Sequence, residues 1–138
     1  MDAAAQVHRI AFDHAMSWLV GLHTLDEDRW FYRERVFPIC RVWGSFDGDV
    51  LSGLIAFRDG WIEQLYVLPV AQGRGVGTGL LEVAKRACER LELWTFQRNA
   101  SARGFYERRG FSLVEQTDGM RNVENEPDVR YRWIREPT

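Results

Sequence analysis

The chain has 138 residues, 46% of them hydrophobic and 28% charged, the size and composition of one globular domain around a single core, which excludes collagen-like or globally disordered organisation. Eighteen Lys and Arg against 20 Asp and Glu leave a net charge of -2, so there is no basic field for broad nucleic-acid binding. No run of ~18 apolar residues and no basic leader followed by an apolar stretch is present, and a soluble, cytoplasmic protein without membrane association is expected.

Val7, Ala11, Ala15, Trp18 and Leu22 recur at three- and four-residue steps, which predicts an amphipathic helix from Asp2 to about Leu22, ended by Gly21. Thr24 and Glu27 have capping-box spacing, in which a hydroxyl and a carboxylate each satisfy a free backbone N–H, and they open a second helix from Leu25 to about Val36 that Pro38 stops. From Ile39 the period changes. The turn signals Asp47-Gly48 and Asp59-Gly60 separate three β-rich runs, an antiparallel meander whose third strand is Trp61 to Val67. After Pro69, the positions Leu80, Leu81, Val83, Ala84, Ala87, Cys88 and Leu91 trace one helical face. Leu93 to Phe96 reads as a strand, Asn99 to about Arg109 as a helix capped by Asn99 and closed by Gly110, and Phe111 to Val114 and Val129 to Ile134 as two more strands. This order requires a sheet that mixes antiparallel hairpins with parallel crossovers.

The chemistry concentrates in Gln72-Gly73-Arg74-Gly75-Val76-Gly77-Thr78-Gly79, between a strand and a helix. Glycines there admit positive φ and remove the Cβ atoms that would block an approaching anion, so the bend can aim backbone N–H groups at a phosphate. Neither a dinucleotide G-x-G-x-x-G nor a Walker loop is completed by the spacing. Cys40 and Cys88 lack C-x-x-C spacing and read as free core thiols. His8, His14 and His23 have no metal-ligand spacing, and no metal is expected.

The loop satisfies Q/R-x-x-G-x-G, and Asn99, Ala102, Phe105 and Tyr106 stand at N-x-x-A-x-x-F-Y spacing, closed by Glu107-Arg108-Arg109-Gly110-Phe111. In these two motifs the sequence resembles the GNAT superfamily of acetyl-CoA-dependent N-acetyltransferases, from about Ile39 to Phe111. The resemblance implies an α/β GNAT fold: a twisted mixed sheet flanked by helices and splayed open between Trp61–Val67 and Leu93–Phe96, with acetyl-CoA in the cleft. It assigns Leu65 and Val67 to backbone pairing with the pantetheine arm, Gln72, Gly73, Arg74, Gly75, Val76, Gly77 and Thr78 to the pyrophosphate, and Asn99 and Tyr106 to the cofactor-side helix. One departure is plain: no counterpart of the family's first edge strand stands ahead of the first helix, so either that strand is lost or the stated start is late, and an absent strand would leave its neighbour's edge open to pairing in a homodimer.

Transfer to an amine needs a neutral nucleophile, and an ammonium of pKa ~10.4 is neutral only about once in a thousand at pH 7. Glu63 shares strand parity with Leu65 and Val67, so it is expected to face the apolar cleft and act as base, directly or through water; pairing with a surface arginine is the competing reading. Tyr106 is the expected general acid for the departing thiolate, with a backbone N–H near Val67 holding the oxyanion. The acceptor is expected to be a small-molecule or peptide amine, its mouth bordered by Trp30, Phe31, Tyr32 and by Glu124, Glu126, Asp128. A non-catalytic acyl-CoA-binding module is the alternative function.

Overall fold

The computed structural model describes residues 2–137. Helix α1 spans Asp2–Ala15, a short 3-10 turn Ser17–Leu19 follows, and α2 covers Leu25–Phe31. Thr24 caps α2 in a complete capping box, its hydroxyl accepting from the Glu27 N–H at 3.1 Å while the Glu27 carboxylate accepts from the Thr24 N–H at 2.9 Å. Three antiparallel strands come next, β1 Arg41–Asp47, β2 Val50–Arg58 and β3 Trp61–Val67. Helix α3 Val76–Ala87, strand β4 Arg90–Phe96, helix α4 Ala100–Glu107 and strands β5 Ser112–Gln116 and β6 Asp128–Ile134 complete the order. The six strands form one sheet in the order β1-β2-β3-β4-β6-β5, with the β3–β4 pair parallel and the others antiparallel. This is the mixed sheet with flanking helices that the sequence implied.

Apolar side chains divide the core between the two faces of the sheet. Ile55, Phe57, Leu81, Leu91 and Leu93 pack with Tyr106 and Phe111 under α3 and α4. On the opposite face, Ala5, Val7, Tyr32 and Val36 of the N-terminal helices cover Leu54 and Ala56. Among the described residues β1 is an edge strand, with Trp43 and Phe46 exposed. No described helix is long and apolar enough to cross a membrane.

Two helix boundaries depart from periodicity, and the second helix reaches Val36 as expected but changes pitch on the way. The first helix ends at Ala15 rather than near Leu22, because Met16 leaves helical geometry and Trp18 is drawn to the segment before β6: its indole N–H donates to Glu126 at 2.7 Å. The second helix widens after Phe31 into a π-helical turn, Tyr32–Val36, where the Phe37 N–H donates to the Tyr32 carbonyl; this brings both Tyr32 and Val36 into the core. Helix α3 stops at Ala87, since Cys88 is already extended and Leu91 belongs to β4. Arg135 closes that end, its guanidinium donating to the carbonyls of Lys85, Arg86 and Cys88.

Candidate active site

The sheet opens where β3 and β4 part. The two strands pair only at Trp61 and Glu92, with the Glu92 N–H donating to the Gly60 carbonyl, and beyond that point their facing edges diverge. The Leu68 N–H donates to Ser52 of β2, so by strand alternation the polar backbone groups of Val67 and Leu65 face the opening. The Val67 carbonyl accepts from the Gln72 side-chain amide at 3.1 Å, which ties the start of the glycine loop to the end of β3.

Past this tie the backbone N–H groups of Gly73 through Thr78 make no hydrogen bond among the described residues; the first amide to be satisfied is Gly79, bonded to the Gly75 carbonyl. Gly73 and Gly75 hold φ of +77° and +82°, and Gly75 is the left-handed residue from which α3 starts. Free N–H groups at a helix N-terminus favour an anion through their partial positive charge. Gly77 serves a different need: a Cβ there would lie 3.1 Å from the Phe105 ring, so its absence lets the first turn of α3 pack on α4. The Thr78 hydroxyl accepts from Arg109 Nε and Nη2 at 3.0 and 2.8 Å, and the same guanidinium lies 3.8 Å over Phe105. Arg109 thus locks α3, α4 and the loop together, and its charge stands beside the free amides. Its role was not apparent from spacing, since nothing local joins Arg109 to Thr78.

A cavity of about 820 Å³ opens between the parted strands and the N-terminal helices. Its wall includes Ile62, Glu63 and Leu65 from β3, Leu93 and Phe96 from β4, Asn99 and Tyr106 from the α4 region, and His23 and Glu124 from loops. Asn99 caps α4, accepting from the Ala102 N–H at 3.2 Å, while its residue also lines the cavity. Tyr106 packs its ring on Phe105 and Phe111, and its hydroxyl has no hydrogen-bond partner among the described residues. Burial raises its pKa well above the ordinary phenol range, so the proton stays on oxygen.

Glu63 lines the cavity as expected, but not as a desolvated carboxyl. The register of β2 with β3 jumps from Ala56–Gln64 to Phe57–Ile62, which makes Glu63 the extra residue of a β-bulge. Parity therefore breaks at Glu63, and Ile62 joins Leu65 in the core beneath α3 while Glu63 turns to the cavity rim. There it is exposed and ion-paired with Arg58 at 2.8 Å, not held in an apolar cleft.

The acceptor-side residues are divided. Trp30, Phe31, Glu124 and Asp128 line the cavity, whereas Tyr32 is wholly buried and Glu126 is buried against Trp18 and Arg98. Beneath the wall Arg9 clamps Asp28 through two bonds of 2.6 and 2.8 Å, and His8 bonds the Tyr32 hydroxyl at 2.9 Å. Burial pushes His8 down to about 4, so it is neutral at physiological pH.

A mixed sheet splayed beside a glycine-rich helix N-terminus is the architecture that the two motifs implied. Residues 6–111 match the acetyltransferase (GNAT) family, and the chain belongs to that family. It is 32% identical over 75 residues to peptidyl-lysine N-acetyltransferase YiaC of Escherichia coli (strain K12), covering 54% of this chain and 50% of that protein. It is 34% identical over 106 residues to mycothiol acetyltransferase of Beutenbergia cavernae, covering 68% and 36% respectively. The chain thus spans half or less of the length of these curated relatives. Among solved structures, apo-form YjaB from Escherichia coli has a TM-score of 0.78 at 18% identity, over 96% of this chain and 89% of that one. The PaiA N-acetyltransferase of Thermoplasma acidophilum, solved in complex with coenzyme A, has a TM-score of 0.68 at 18% identity, over 96% and 91%. At such identities the likeness is one of fold.

Proposed function

We propose that the protein is an enzyme that moves an acetyl group from acetyl-CoA to a primary amine by direct attack in a ternary complex. The observation that carries this reading is the run of free amides from Gly73 to Thr78 at the end of the unpaired edge of β3, a strand whose Leu65 lines the same cavity as Tyr106. The donor fits these residues chemically. Its pyrophosphate suits the N–H groups of the loop spanning Gln72 to Thr78, and its pantetheine amides suit the backbone edge at Leu65 and Val67. Asn99 adds a polar group from the start of α4.

Acetyl-CoA supplies an activated thioester; the chain supplies position and proton handling. The amine, once neutral, attacks the carbonyl carbon, and a backbone N–H near Val67 holds the charge developing on oxygen. The thiolate then leaves and takes the Tyr106 proton. Glu63 accepts through water the proton that the ammonium sheds before attack, since its rim position and its bond to Arg58 keep it from direct contact, and the second proton, lost by nitrogen after attack, restores the Tyr106 phenol. Amine-dependent release of free CoA thiol, measured over a panel of primary amines, tests the reading; binding of acetyl-CoA without any amine-dependent thiol release would instead support a non-catalytic acyl-CoA-binding module.

The edge of β1 supports a homodimer. Two copies of β1 paired antiparallel about Gly44 set Arg41 opposite Asp47 of the partner subunit at both ends, and cover Trp43 and Phe46, which are exposed.

A further inference from the structure

The cavity wall has a one-sided charge inventory. Asp26, Glu27, Asp28, Glu63, Glu124 and Asp128 line it together with two imidazoles, and no arginine or lysine is among its lining residues. Five of the six carboxylates are already engaged: Asp28 by Arg9, Asp26 by Arg29, Glu63 by Arg58, Glu27 by the Thr24 N–H, and Asp128 by Thr117 and Asn122. Glu124 differs. Its carboxylate has one partner among the described residues, His23 Nε2 at 3.3 Å, and its side chain is 19% exposed. The other nitrogen of His23 lies 3.9 Å from the Glu27 carboxylate. A single imidazole therefore stands between two carboxylates contributed by different parts of the chain, and among the described residues no guanidinium or ammonium pairs with either. No group of three or more metal-ligating side chains is gathered among the described residues.

This acidic end of the cavity and the transfer end are built from different elements. Leu65, Leu93 and Tyr106 surround the parted strands, whereas His23, Glu27 and Glu124 belong to the α1–α2 connection, α2 and the β5–β6 loop. Phe12, Phe31 and Phe96 supply apolar wall in the same cavity. An acceptor that fills it presents one amine to the thioester, an apolar spacer to the phenylalanines, and a positive charge to Glu124. Resting on the reading of this cavity as the acceptor site, we propose that the acceptor is an aliphatic amine carrying a second cationic group, received by Glu124 with Glu27 beside it, and that His23 yields its bond to Glu124 when that cation arrives.

The test is a calorimetric titration of the full chain at pH 8, with and without saturating CoA, comparing cadaverine with pentylamine, which share a spacer and differ by one ammonium. The expected result is binding about tenfold tighter for the diamine. That preference should shrink to within about twofold in Glu124→Gln with the melting temperature and CoA affinity held, and should persist in Glu34→Gln, which removes a surface charge outside the cavity. Equal binding of the two amines by the unsubstituted protein overturns the proposal. So does a preference that survives Glu124→Gln, or one lost equally in Glu34→Gln. Acetyl transfer is read separately as thiol release, so diamine binding without transfer counts against the enzymatic reading and leaves the charge recognition standing.

Discussion

Replacing Tyr106 with phenylalanine separates chemistry from packing more cleanly than any other change in this site. The ring lies 5.2 Å from Phe105 and 5.3 Å from Phe111 by centroid, contacts a phenylalanine keeps. The hydroxyl makes no hydrogen bond among the described residues, so its loss leaves no partner unsatisfied and should shift folding stability by less than ~0.5 kcal/mol. If that hydroxyl delivers the proton to the leaving thiolate, kcat should fall about a hundredfold, equivalent to ~2.7 kcal/mol of barrier, with KM for acetyl-CoA unchanged. The raised phenol pKa adds a pH signature. Because the proton is held above the ordinary range near ~10, the rate of the unsubstituted protein should show no alkaline loss from this group below about pH 10. Steady-state kinetics following CoA thiol, with a thermal melt on the same samples, makes the comparison. An undiminished kcat in Tyr106→Phe, or a loss matched by weakened acetyl-CoA binding or a lowered melt, refutes the assignment.

Other outcomes follow from the same geometry. Gly75→Ala places a side chain at φ +82°, a conformation costing about 1 kcal/mol or more, and should raise KM for acetyl-CoA by roughly tenfold through the displaced loop amides; an unchanged KM would separate the loop from donor binding. His8, depressed to about 4, contributes stability that is complete above its unfolded value near 6.5 and is lost as pH falls toward 4. Denaturant unfolding at pH 7 and pH 4 should therefore show an acid loss about 3 kcal/mol smaller in His8→Gln than in the unsubstituted chain, and equal losses would contradict the buried neutral imidazole. Thr24→Ala should cost about 1 kcal/mol by opening the capping box of α2, read from the shift of the urea midpoint at constant slope. Sedimentation velocity at micromolar concentration should find the homodimer, and a Trp43→Glu change should dissociate it; a monomer throughout removes the β1 interface.

The parts of the fold visible in the sequence were those set by neighbouring residues. Asp47-Gly48 and Asp59-Gly60 fixed two turns, with Gly48 and Gly60 at φ of +62° and +79°, and Thr24 with Glu27 marked the start of α2 where the capping box forms. The glycine loop was legible for the same reason, since positive φ and missing Cβ atoms are properties of residues read one at a time. What escaped depends on distant partners. The break after Ala15 reflects a bond from Trp18 to Glu126, and the π-helical turn brings Tyr32 and Val36 together into a core built from other elements. Glu63 reaches the cavity as expected, but its exposure was missed because alternation carries no mark of a bulge, which appears only when the register of β2 against β3 is seen. Arg109 on Thr78, and His23 on Glu124, likewise join segments that no local pattern connects.

The most direct test of the central claim is calorimetric titration of the protein with acetyl-CoA, CoA and ATP in turn. If the free amides of Gly73 through Thr78 and the open edge of β3 together form the donor site, acetyl-CoA and CoA should bind at micromolar concentration and ATP, which lacks the pantetheine arm, at least about tenfold more weakly. Equal affinity for the three ligands would reduce the site to a general phosphate cradle, and absence of acetyl-CoA binding would contradict the account at its base.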